Sequence, residues 1–290
     1  MIDITPEKQR LLSLYAKKYC KIDNPANCNK SRCECALLAE YHAFKNMIIP
    51  EGYRKFTVKD FTGELGSGLF LDNVVAATAK KQVIDYCYGS VPVDFIRKMS
   101  INSIDTIPIL RRRLENGNNI VIHGDATRQI VAANSGDNIV SEKPLGRTFI
   151  ASIITKEALK LKIDKDHYKK HFDWVDFSNL TRVLKSNEDS DRYEAQYYQE
   201  CDWLVIDDIT ENTLASSPAQ KAWTGQMYDA FFSNRYRDRL ITVLIFRFDV
   251  NRRRSEVESA FGVSITKIID DKKTYVIGLT DKRGMNVERD

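Results

Sequence analysis

Between residues 119 and 279 the chain alternates two hydrophobic patterns. Short continuous apolar runs, NIVIHG (119–124), HFDWVDF (171–177), WLVIDD (203–208), LITVLIF (240–246) and TYVIGL (274–279), have the length and residue types of buried strands. Between them, over 149–160, 191–200, 223–236 and 254–262, apolar residues recur at every third or fourth position, which predicts helices. Strands without a polar face need cover on both sides, and helices alternating with such strands supply it. The expected fold class is α/β, a parallel sheet flanked by helices.

Ahead of the sheet the pattern is helical. Helices are expected over 5–19, where Pro6 follows the capping residue Thr5, over 35–47, over 71–88 with Gly89 as the stop, and over 104–114 before the turn Asn116–Gly117–Asn118. The cysteine-rich stretch and the helix that follows it to Pro50 read as a compact module. This divides the chain into residues 1–48 and a main domain, 49–290.

With 43% hydrophobic and 29% charged residues, and only 13 Gly and 7 Pro, the composition excludes disordered and collagen-like classes. No run of about 18 apolar residues is present. The opening MIDITPEKQRLLSLYAKK lacks the apolar core and cleavage site of a secretory signal, so a cytoplasmic protein with no membrane partner is expected.

The formal net charge of +4 matters for an anionic partner only where cations cluster. They do so at Arg111, Arg112, Arg113 and at Arg252, Arg253, Arg254, runs that read either as solvated faces or as nucleic-acid contacts. In SNRYRDR (233–239), Arg235, Arg237 and Arg239 interleave with Tyr236, and YRKF near Tyr53 has the same mixture. Such mixtures hold single strands, aromatics stacking on bases while arginines follow phosphates. The alternative is that Phe232 and Tyr236 pack the helix onto the sheet and the arginines are solvated.

Four of the six cysteines, Cys20, Cys28, Cys33 and Cys35, fall within sixteen positions. In a cytosolic chain clustered thiols favour a metal over disulfides, and four thiolates suit tetrahedral Zn²⁺, although the Cys-x-Cys spacing is tighter than a usual knuckle. Free thiols are the other reading. His42 could replace one ligand or simply pack. Cys87 and Cys201, among aromatic and apolar neighbours, read as core residues.

The run WLVIDD ends in two acids, Asp207 and Asp208. Carboxylates at the C-terminal edge of a parallel sheet can hold Mg²⁺ and orient a water, or merely end the strand in a polar turn. The strand NIVIHG ends in Gly124, and Gly146, Arg147 and Thr148 open a helix. In a phosphate loop, glycine backbone N–H groups face the phosphates, a lysine reaches the terminal ones and a hydroxyl binds Mg²⁺. Here arginine stands at the lysine position, and Gly124 and Gly146 are 22 positions apart where the regular motif has five, leaving room for an insertion of 17 residues.

Several pieces in order carry a family resemblance. CECALLAEYHAFKNMIIPEGYRKFTVKDF matches a Cys-x-Cys segment leading through a helix to an Ile-Pro-x-x-Tyr-Arg stretch; VIDDI matches a Walker B strand; SNRYRDRLITVLIF and ESAFGVSITKIIDDKKTYVIGL follow the later outline. From about Cys20 onward the sequence resembles the DnaC-type replicative-helicase loaders, AAA+ proteins related to the DnaI loaders and to the ATPase that assists some transposases.

The resemblance implies an AAA+ P-loop fold and an N-terminal zinc module that grips a replicative DnaB-type helicase. It also implies ATP or ADP with Mg²⁺ at Gly124, Gly146, Arg147, Thr148 and Asp207, Asp208 as the catalytic acid, binding of single-stranded DNA and self-assembly into an oligomer. Departures from the family pattern are Arg147 for its lysine, Phe246 and Arg247 where a Thr or Asn should end the sensor strand, and Lys267 where an arginine finger should be, with Arg252 to Arg254 as substitutes. These departures favour a rival reading, an adaptor that kept the fold and lost ATP turnover.

Overall fold

The computed structural model describes residues 34–57, 60, 73–89, 108–125, 128–132, 138–142, 146–163, 171–215 and 218–279. In chain order the described elements begin with α1 (Glu34–Ile48), a 3₁₀ turn (Glu51–Tyr53), α2 (Asn73–Tyr88), α3 (Pro108–Glu115), β1 (Ile120–His123), β2 (Arg128–Ala132) and β3 (Asn138–Glu142). They continue with α4 (Arg147–Ile163), β4 (Phe172–Asp176), α5 (Phe177–Lys185), α6 (Asp189–Glu200) and β5 (Trp203–Ile209). A second 3₁₀ turn (Glu211–Ala215), α7 (Pro218–Arg237), β6 (Ile241–Phe246), α8 (Arg254–Phe261), α9 (Val263–Asp270) and β7 (Tyr275–Gly278) complete them.

Five strands form one parallel sheet in the order β4-β5-β6-β1-β7. Its strands alternate between two cores. Ile120, Ile122, Trp203, Val205, Val243 and Ile245 face α1 to α4, whereas Val121, Leu204, Ile206, Leu244 and Phe246 face the layer of α5, α7, α8 and α9. Each such side chain contributes about 1.5–3 kcal/mol by leaving water, which is why the strand runs are apolar throughout rather than alternating. The expected α/β class and parallel sheet are what the structure has.

Helix α4 is buried on nearly every side from Phe149 to Leu159, because α1, α2 and α3 cover it on the side away from the sheet. A helix enclosed in this way needs apolar or small residues all round, and FIASII provides them. Lys156 and Glu157 are buried on it too. Ala43, Ile48 and Ile49 belong to the buried surface of the main domain, so a module ending at residue 48 would share its last helix with the α/β core.

Three elements differ from the sequence expectation. The run HFDWVDF stops being a strand at Asp176, because Phe177, Leu180 and Val183 lie on one helical stripe and bury it as α5. The segment between Gly124 and Gly146, expected as an inserted loop, contains the antiparallel hairpin β2–β3, paired from Arg128–Glu142 to Ala132–Asn138. After α8 the chain starts a new helix rather than continuing. Gly262 has φ 86°, and a Cβ there would lie 2.4 Å from Asp229 Cβ; the Asp229 carboxylate accepts the Ser264 N–H at 2.6 Å to begin α9.

Candidate functional site

The C-terminal edge of the sheet is where open parallel sheets bind ligands, because the strand ends and the following helix N-termini converge there. At this edge β5 carries a register irregularity between Ile206 and Ile209 that interrupts its pairing with β6. Within it Asp208 has φ 65°, a conformation Asp tolerates better than most residues. The irregularity separates the two acids. Asp207 is buried, while Asp208 is partly exposed and ion-paired with Arg247, which follows β6.

Helix α4 begins immediately after Gly146, whose φ is 70° and whose carbonyl accepts the Ile150 N–H at 2.9 Å. The second residue of the helix is Thr148, and its hydroxyl donates to Asp207 Oδ1 at 3.5 Å. The same carboxylate oxygen accepts the Asp208 N–H at 2.7 Å. Burial pushes the Asp207 carboxyl up to about 6, a rise that the Asp208 N–H and the Thr148 hydroxyl only partly offset and that neighbouring Asp208 and Asp176 reinforce.

Arg147 reaches back to the end of the β1 run. Its guanidinium donates to the Gly124 carbonyl, bringing the two ends of the inserted hairpin together. The Gly124 N–H donates to Phe248 O at 3.2 Å, so neither backbone group of that glycine faces an open cradle.

Two groups that sequence reasoning did not assign complete the surroundings. His123, the last residue of β1, lies buried with Nδ1 3.3 Å from Asp249 Oδ1; burial holds its pKa below the ordinary value despite the neighbouring carboxylates. Tyr53, a residue read above as part of a nucleic-acid-binding mixture, is partly buried, and burial first and the charge of Asp207 next push its hydroxyl pKa up. Neither had a local signal beyond its place beside a strand end or in the Ile-Pro stretch, since tertiary packing brings both to the site.

The other candidates divide. Cys20, Cys28 and Cys33 lie outside the described residues, and Cys35 is the second residue of α1. Among the described residues no group of three or more His, Cys, Asp or Glu is placed to hold a metal ion. His42 is partly buried, and burial lowers its pKa to about 4. Cys87 and Cys201 are buried free thiols, as their neighbours suggested.

Arg235, expected on a DNA-binding surface, requires correction. It is fully buried, and its guanidinium donates to the carbonyls of Tyr198 (2.6 Å), Cys201 (2.8 Å) and Ile241 (2.7 Å) and to Thr242 Oγ1 (3.1 Å). A donor so committed ties α7 to β6 and the end of α6 and cannot reach a phosphate. Arg237 and Arg239 are exposed, Arg237 beside the carboxylate of Asp238.

The basic run after β6 is taken up by acids of the same chain. Arg252 lies 3.4 Å from Asp125, Arg253 lies 3.2 Å from Glu211, and Arg254 pairs with Asp270. Lys267 is exposed. Arg113, in the other basic run, stacks its guanidinium on the rings of Tyr86 and Tyr275 at 4.7 and 5.1 Å.

The chemistry available at the sheet edge follows from these atoms. A hydroxyl and a buried carboxylate 3.5 Å apart are oxygen donors of the kind a hard divalent cation takes, and they stand at a helix N-terminus that favours anions. The residues therefore fit Mg²⁺. The Phe246 side chain at the end of β6 is fully buried and offers no polar atom.

No protein-family model matches the chain, and no curated protein matches it. Among solved structures it is similar to one described as the crystal structure of the DnaI, at 14% sequence identity and a TM-score of 0.44, over 81% of this chain and 96% of that one.

Proposed function

We propose that this chain is a nucleotide-binding loader of a replicative DnaB-type helicase, built on an AAA+-like α/β domain. The observation that carries the nucleotide part is the Thr148–Asp207 pair at the C-terminal edge of the parallel sheet, with Thr148 in the first turn of α4. In this reading Thr148 and Asp207 hold Mg²⁺, the N-terminus of α4 and Arg147 receive the phosphates of ATP or ADP, and Asp208 orients the attacking water. Bound Mg²⁺ would supply charge neutralisation at the phosphates.

The helicase, single-stranded DNA and the assembly into an oligomer come from the family resemblance of the Ile49–Phe61 stretch and VIDDI. The zinc assignment to Cys20, Cys28, Cys33 and Cys35 comes from their spacing together with that resemblance. Arg237 and Arg239 remain the DNA-contact candidates.

A second reading, a non-hydrolysing adaptor, is favoured by the Arg147 guanidinium folded onto the Gly124 carbonyl and by apolar Phe246 at the sensor position. Calorimetric titration with ADP and with a non-hydrolysable ATP analogue, with and without Mg²⁺, tests the nucleotide site. Mg²⁺-dependent binding is the expected result, and no binding of either nucleotide would sink the loader mechanism. Binding without turnover in the presence of helicase and single-stranded DNA would select the adaptor.

A further inference from the structure

The link between β6 and α8, residues 247–253, lies beside the end of β1, because β6 and β1 are neighbours in the sheet. The Gly124 N–H donates to Phe248 O at 3.2 Å, and the Asp249 N–H donates to Asp125 Oδ1 at 2.8 Å. The other oxygen of the Asp125 carboxylate, Oδ2, accepts from Arg252 Nη1 at 3.4 Å. Both oxygens of Asp125 are thus held by donors of this link, one by a main-chain N–H and one by a guanidinium.

The carboxylate of Asp249 itself is directed elsewhere. It is buried, its Oδ1 accepts the Asn251 N–H at 2.9 Å and lies 3.3 Å from His123 Nδ1, and its Oδ2 is 3.8 Å from Arg252 Nε. These contacts fix the link, so that the Asp249 N–H and Arg252 Nη1 converge on whatever anion stands at Asp125.

A main-chain N–H beside a guanidinium is a donor set that phosphoryl oxygens take as readily as a carboxylate does. The pair also stands in the right place. Asp125 follows Gly124, whose carbonyl receives Arg147 from the first turn of α4, next to Thr148 and Asp207. Magnitude decides whether exchange is feasible. The side chains of Arg252 and Asp125 are 62% and 46% exposed, and an ion pair so open to water contributes at most about 1 kcal/mol. A phosphate, with more charge and more acceptor oxygens, can take both donors from it.

We propose that the Asp249 N–H and the Arg252 guanidinium form a phosphate subsite that the chain's own Asp125 carboxylate fills, so that nucleotide binds by displacing Asp125. This rests on the nucleotide reading of the Thr148–Asp207 pair and extends it to the link after β6. Asp125 is then an internal competitor, and the affinity for nucleotide is set partly by how readily it yields.

The test titrates the full chain with a non-hydrolysable ATP analogue at constant Mg²⁺, by calorimetry, for the wild type, Asp125→Asn and Asp125→Ala, and for each Asp125 variant combined with Arg252→Ala. Asp125→Ala frees both donors and should tighten binding about tenfold, one charge-assisted hydrogen bond's worth. Asp125→Asn keeps an oxygen for the Asp249 N–H and so preserves the fold of the link; it should tighten binding about threefold. Adding Arg252→Ala should abolish the gain in either background, which a mere loss of negative charge near the site would not do. In a wild type that binds the analogue, unchanged or weaker affinity of both Asp125 variants, or a gain that survives Arg252→Ala, overturns the subsite and leaves the nucleotide site standing. Absence of binding by the wild type and by every variant overturns both.

Discussion

The Arg147 guanidinium donates to the carbonyl of Gly124, the residue that ends the β1 run, across the whole inserted hairpin. The side chain at the position where a phosphate loop has lysine is therefore engaged with its own loop. Arginine is long, planar and geometrically fixed in its donors, whereas lysine carries a compact charge on a flexible stem. Arg147→Lys should release the Gly124 carbonyl and place an ammonium on the path to the terminal phosphate. Nucleotide affinity is expected to rise by up to about tenfold, read by calorimetry. An unchanged or weaker affinity would mean that a guanidinium at this position serves the phosphates at least as well as an ammonium would.

Asp207 gives a pH-dependent stability effect whose sign is fixed by burial. Its carboxyl is raised to about 6 in the folded protein, with burial the largest cause, whereas an unfolded aspartate titrates near its ordinary value of 3.8. Below that value both states are protonated and nothing is lost. Between 3.8 and about 6 the unfolded chain releases the proton first, so stability falls as pH rises, and above about 6 the cost is constant at roughly 2–3 kcal/mol. Asp207→Asn should therefore stabilise the cation-free protein at pH 8 and give no gain at pH 3.5. Thermal melts at the two pH values read this, and a gain of equal size at both would rule out burial of the charge as its origin.

The three arginines of SNRYRDR should separate in mutagenesis. Arg235→Met leaves buried carbonyls of Tyr198, Cys201 and Ile241 without their donor and should cost about 3–5 kcal/mol of stability, measured by urea unfolding. Arg237→Ala and Arg239→Ala, both at exposed positions, should leave stability nearly unchanged. Together they should weaken single-stranded DNA binding and flatten its dependence on log salt by about 1.4, two phosphate contacts' worth. Unaltered DNA affinity in the double variant would remove this stretch from any nucleic-acid interface.

For the cysteines the expected outcome is one Zn²⁺ per chain, held mainly by Cys20, Cys28, Cys33 and Cys35. Chelation should increase proteolysis within residues 20–35 while the two-layered core around the sheet keeps its melting temperature. Metal analysis of protein purified without chelator decides the matter, and absence of zinc ends the assignment.

The sequence by itself determined the five strands of the parallel sheet and the class. A buried parallel strand must be apolar on both faces, and the runs at β1, β5 and β6 could be read without knowing their neighbours. It also marked Gly124, Gly146, Thr148 and Asp207, because a strand end and a helix start are local events with local residue preferences. Only the tertiary structure decided what those residues meet. It placed β6 between β1 and β5 and joined Thr148 to Asp207 across 59 positions. It also made Arg235 a core residue, although Arg237 two positions later is exposed. Composition treats these two alike, but on a helix two positions turn a side chain from the packed face to the solvent face. What faces inward depends on where α7 lies against the sheet, a long-range packing outcome that no local pattern encodes.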